Sequence, residues 1–141
     1  MNGIFIPQLI KKAELENYLP HRGKMLLLSR ITSHNTANKT LTAECDIADS
    51  LIFFDHSIKG VSSAVSFEFM AQAVSALASI LKKERGDLES ICPGMILSIS
   101  GFKAEVPYFA EGSTVTIHIA EDYQEGSLYR YKCTAYDAKE Q

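Results

Sequence analysis

The residues best suited to chemistry in this 141-residue sequence lie in "FFDHSIKGVSSAVSFEFMAQAVSALASIL", from Phe53 to Leu81. The run is almost wholly apolar after Lys59, yet it carries one carboxylate, Glu68, with a histidine, His56, twelve positions earlier. Carboxyl and imidazole groups are the side chains that most readily pass protons near neutral pH. What holds an acid among so many apolar residues is the question the sequence poses. Glu68, Gln72, Ser75 and Ser79 fall at i, i+4, i+7 and i+11, one narrow polar seam along a helix. Two readings follow from the helix pattern alone. Glu68 bonds a buried backbone group and Gln72 a neighbouring loop, as buried polar groups usually do, or the seam faces a ligand.

The element that positions this seam is a helix from about residue 63 to about 84. Ser62 and Ser63 can cap its start, Lys82, Lys83 and Arg85 suit the negative end of its dipole, and Gly86 suits a left-handed cap. A membrane span is rejected, because a central carboxylate in lipid costs about 2.5 kcal/mol or more. A helix apolar on nearly every side is one covered all round by other elements. Strands supply the cover. "TLTAECDI" (Thr40–Ile47) and "TVTIHIA" (from Thr114) alternate apolar and polar residues; "MLLLSRIT" (from Met25), "MILSISGFKAEV" (from Met95) and "LYRYKCTAY" (from Leu128) add three more. "SHNTANK", "YFAEGS" and "DYQEGS" read as turns between antiparallel neighbours. The fold class is α+β, an antiparallel sheet of five or six strands curled around one long helix.

The length fits one domain, residues 1–141. A net charge of −3 gives no basic field for nucleic acid. Cys45, Cys92 and Cys133 are odd in number and widely spaced, which suggests neither a disulfide framework nor a zinc site. The N-terminus lacks a signal-peptide pattern, and cytoplasmic residence is expected.

"YLPHRGKMLLLSRI" (Tyr18–Ile31) and "FFDH…FEFMAQA" (Phe53–Ala73) resemble, in order, motifs of the hotdog-fold 3-hydroxyacyl-acyl-carrier-protein dehydratases of bacterial fatty-acid synthesis. The likeness continues through "ISGFKAEVPYFAEGSTVTI" and covers roughly residues 18 to 137. It is greatest with a divergent branch of predicted dehydratases, some linked to aryl-polyene synthesis. The resemblance implies that Glu68 and His56 form the catalytic pair. Loss of water across C2–C3 of a 3-hydroxyacyl thioester needs a base for the C2 proton and an acid for the departing hydroxyl. His56 is the expected base and Glu68 the acid, its carboxyl kept protonated by Phe67, Phe69 and Met70. The resemblance also places the Ser63 N–H on the thioester carbonyl and implies an acyl carrier protein with a phosphopantetheine-linked chain, and a twofold homodimer or an oligomer of dimers. Gln72, Phe54 and Phe67 are expected to meet substrate, with Phe53, Met70, Tyr108 and Phe109 as further candidates for an apolar tunnel, the alternative for these apolar residues being core packing. Arg22 and Lys24, or Lys82, Lys83 and Arg85, are candidates for carrier-protein contact, the alternative being solvated charges. No metal, other cofactor, nucleic acid or membrane is expected.

The sequence also departs from the family. The loop before the helix reads "DHSIKG" where the family has "GHFPG", Ser62-Ser63 replaces "PG", and histidine and glutamate stand two residues closer. If His56 lies outside the site, His21 of "LPHR" is the other histidine in a matching motif; His34, in a turn, and His118, on a polar strand face, are expected to be solvated. The family continues past "CTAYDAKEQ", so the last strand is expected to be shortened or truncated. The alternatives to a dehydratase are a hotdog acyl thioesterase and a non-catalytic acyl-binding partner subunit.

Overall fold

A computed structural model describes residues 5–86, 104–126 and 128–137; the strand expected from Met95 begins outside them, as does Cys92. Among the described residues, five strands form the main antiparallel sheet: β1 (Ile10–Lys11), β2 (Arg30–Asn35), β3 (Thr40–Asp46), β7 (Thr114–Glu125) and β8 (Leu128–Asp137), in the order β1-β2-β3-β7-β8. Three short strands, β4 (Phe54–Asp55), β5 (Gly60–Ser62) and β6 (Tyr108–Ala110), form a second sheet. One helix, α1 (Ser66–Glu84), packs on β3, β7 and β8. This is the expected hotdog arrangement, and its cause is visible in the burial pattern. Leu41, Ala43, Cys45, Val115, Ile117 and Ile119 are all buried on one sheet face, against Phe69, Ala73, Ala76, Leu77 and Ile80 of the helix. Each large apolar side chain taken fully from water there contributes about 1.5–3 kcal/mol. Bulges between Ile31 and Ser33 and between Glu121 and Tyr123 add local twist, which helps a sheet to curl. Arg30 ties the outer face of the sheet together through ion pairs with Glu44 and Asp46, and Asp46 also accepts from Thr114 Oγ1.

Three details differ from the sequence reading. The strand expected from Met25 begins only at Arg30, and Leu26, Leu27 and Leu28 before it are all buried. "DYQE" is not a turn: β7 runs through it, and Glu125 pairs with Leu128. His34 is buried in β2, its Nε2 2.8 Å from the Pro7 carbonyl oxygen, rather than solvated in a turn.

The small sheet depends on a close backbone approach. A Cβ on Gly60 would lie 2.3 Å from the Phe109 carbonyl oxygen and 2.8 Å from the Tyr108 ring. Gly60→Ala must therefore push β5 from β6 and should cost about 1–3 kcal/mol, measured as a lower denaturation midpoint at unchanged slope.

Candidate active site around Glu68

The chain leaves β5 at Ser62 and passes through a tight turn, Ser63–Val65, before α1 begins. Ser62 Oγ accepts from the Ala64 N–H at 3.3 Å, and Ser66 Oγ donates to the Ser63 carbonyl at 2.6 Å. The Ser63 N–H is not the orphan donor expected from the sequence. It donates to the Pro107 carbonyl oxygen at 3.0 Å, because the pairing of Ser62 with Tyr108 brings the strand neighbour alongside the next residue.

Glu68 sits in the first turn of α1 and is half-buried. Its expected apolar wrap is partial within one chain: Phe69 is in the core and Met70 packs against it, but Phe67 is 38% exposed. One turn on, Gln72 is fully buried, and both ends of its amide are engaged. Its oxygen accepts from the Leu27 N–H at 3.0 Å and its nitrogen donates to the Met25 carbonyl at 2.8 Å. Gln72 is thus a clamp on the Met25–Leu27 backbone, which corrects its assignment to substrate. Lys12 supports the same stretch, donating to the carbonyls of Leu26 and Leu28 at 2.8 and 2.7 Å. The loss of two amide bonds to otherwise buried backbone should make Gln72→Leu less stable by about 2 kcal/mol, read from thermal or denaturant unfolding.

The "LPHR" loop precedes this stretch. Arg22 curls back on it rather than pointing outward to a partner. Its guanidinium donates to the carbonyls of Leu19 (2.5 Å), His21 (2.8 Å) and Glu16 (3.2 Å), with the Glu16 carboxylate 3.5 Å away. Lys24, by contrast, is exposed. Lys83 lies over the Tyr18 ring at 5.5 Å, and Arg85 Nε donates to the Leu81 carbonyl. His21 belongs to the same loop, and its carbonyl is one of those that Arg22 engages. Its Nδ1 is shut off from solvent with no hydrogen-bond partner, the one side-chain nitrogen or oxygen among the described residues of which that is true. Burial pushes its pKa below the ordinary 6.5, the Glu68 carboxylate raises it, and Arg22 lowers it.

His56 lies elsewhere on the chain. It is exposed in the β4–β5 hairpin, its ring edge-on to Phe54 at 4.9 Å. Asp55 shapes the turn by accepting from the Ser57 N–H (2.9 Å) and hydroxyl (2.6 Å). Among the described contacts none joins His56 to Glu68 of the same chain. Phe54 is half-buried against the core, while Ile52, Phe53, Ile58, Phe67 and Tyr108 are exposed. His118 Nδ1 pairs with Thr42 Oγ1 across the sheet at 2.9 Å. The two described thiols are disfavoured as nucleophiles, because burial pushes Cys45 up to about 12 and Cys133 up to about 11. No group of three His, Cys, Asp or Glu side chains among the described residues is placed to hold a metal.

Sequence reasoning placed His21 second, behind His56. The part it missed is the Gln72 clamp, whose signal is the i, i+4 relation of Glu68 and Gln72.

The ApeP-like family model, described as ApeP dehydratase, matches residues 13–141. No curated protein matches the chain. Among solved structures, a chain of the dehydratase heterocomplex ApeI:P from Xenorhabdus doucetiae is similar, with a TM-score of 0.76 and 23% identity, over 88% of this chain and 81% of that one. That likeness is one of fold.

Proposed function

The chain belongs to the ApeP-like dehydratase family, and we propose that it dehydrates 3-hydroxyacyl thioesters on an acyl carrier protein to trans-2-enoyl thioesters, in polyene or fatty-acid synthesis. The observation that carries this reading is a half-buried carboxyl, Glu68, in the first turn of the central helix, one turn before the buried Gln72. A base takes the C2 proton, the C2–H electron pair becomes the C2–C3 double bond, and the C3–O bond breaks as Glu68 gives its proton to the hydroxyl, which leaves as water. His56 is the proposed base, offered to Glu68 of a second subunit across a twofold axis. Its exposure supports this, as do the exposed Ile52, Phe53, Ile58 and Phe67, apolar surface of the kind a partner covers. Phe54 and Phe67 would line the acyl chain. With Arg22 folded onto its own loop, Lys24 is the remaining carrier-protein contact of that motif. The reaction would take place in the cytoplasm.

A second reading is favoured by the likeness to a chain of a heterocomplex: this chain pairs with a different dehydratase subunit and contributes little chemistry itself. An assay with crotonyl thioester in water separates the readings. Hydration identifies a dehydratase, release of free thiol a thioesterase, and neither outcome from the purified chain a subunit that needs its partner.

A further inference from the structure

We propose that Phe54 is the positioning residue for His56, a role that rests on the dehydratase reading and says how an exposed base is kept in one place. A base must come within about 3 Å of the atom whose proton it takes, and an exposed histidine turns freely about its side-chain torsions. The hairpin settles the backbone. Asp55 pairs with Gly60 across β4 and β5, its carboxylate accepts from the Ser57 N–H and hydroxyl, and its carbonyl accepts from the Ile58 N–H at 3.3 Å. Lys59 closes the turn in the left-handed region, with a φ of 53°, and its carbonyl accepts from the Glu111 N–H at 2.9 Å. His56 thus stands on a turn braced at both ends.

The imidazole is met by Phe54. The two rings make a T-shaped contact, with centroids 4.9 Å apart and planes at 69°, a geometry in which aromatic pairs attract. Phe54 is itself held, because it pairs with Val61 in the small sheet and its side chain packs against the buried core. Support therefore runs from the core through Phe54 to the imidazole. Among the described residues no hydrogen bond engages either ring nitrogen of His56. A T-shaped contact orients an imidazole without occupying a nitrogen, whereas a carboxylate partner would orient it and compete for its proton. The lone pair stays open for the C2 proton, and the ordering of the side chain is complete before substrate arrives. Leucine at position 54 would still give the acyl chain an apolar wall, so this role and the lining role separate.

The test has two arms. In NMR spectra of the purified protein, the His56 ring protons should be displaced by the Phe54 ring current, and the His56 χ1 couplings should report a single rotamer. Phe54→Leu should erase the displacement and average the couplings, while Phe54→Tyr should keep both. Couplings already averaged in wild type, or unchanged in Phe54→Leu, would overturn the positioning. In crotonyl-thioester hydration, Phe54→Leu should lower kcat about 3- to 10-fold, the size of an aromatic pair, with KM within about twofold. Phe54→Tyr should recover most of that loss. In a His56→Ala background the same Phe54→Leu change should cost less than about twofold, because the ring it positions is gone. An equal loss in both backgrounds, or equal kcat in wild type and Phe54→Leu, would overturn the role. If the wild-type chain hydrates no thioester, the dehydratase reading fails, and the NMR arm alone decides whether Phe54 fixes His56.

Discussion

Glu68→Gln is expected to slow dehydration of a 3-hydroxyacyl thioester by about 100-fold or more while the fold is kept, the scale of a lost general acid. The amide has nearly the same volume and can still hydrogen-bond, but it has no proton to give the departing hydroxyl. Because Glu68 is only half-buried, on the helix face that carries Gln72 rather than in the apolar core, the exchange leaves packing intact. Substrate binding should change little, so the loss should fall on kcat. Steady-state kinetics with a 3-hydroxybutyryl thioester give the answer; a variant near the wild-type rate would remove Glu68 from the chemistry. A clear rise in melting temperature on the same change would show that the carboxyl is held at a cost in stability, as functional residues often are.

Co-refolding of His56→Ala with Glu68→Gln is expected to restore activity that neither variant has alone. If the histidine comes from one subunit and the glutamate from the other, a mixed dimer has one doubly altered site and one intact site. Random pairing of equal amounts makes roughly half the dimers mixed, so roughly a quarter of the wild-type activity should return. The exposed His56 and the absence of a described contact to Glu68 in its own chain are what this arrangement requires. No recovery, with mixed dimers proven by mass spectrometry, would place both residues in one chain's site or take His56 out of it. A protein that stays monomeric at micromolar concentration would remove the shared site before any assay.

The helix and the long strands were legible because their periodicities are strong. Leu41, Ala43, Cys45 and Ile47 alternate and are buried as the alternation requires, and the polar seam is buried as one line at Gln72, Ser75 and Ser79. What escaped was structure made by distant partners. The two- and three-residue strands β4, β5 and β6 have no period of their own and exist through pairing and the close approach at Gly60. Leu26–Leu28 looked like a strand, yet its backbone is bonded to Gln72 and Lys12. In the site, Glu68 was marked by an acid in an apolar helix. The part played by Arg22 and the occupied Ser63 N–H depend on carbonyls brought close by folding, which no local pattern encodes. His21 was visible as a motif residue, but its unpartnered nitrogen is a tertiary fact.

Whether Glu68 makes this chain a dehydratase is tested most directly by intact-mass analysis of a 3-hydroxyacyl carrier protein incubated with the purified protein. The expected result is loss of one water from the carrier-bound chain with the thioester intact, reduced about 100-fold in rate by Glu68→Gln. Release of the acyl group, no mass change with wild type, or an equal rate of water loss with the variant would contradict it.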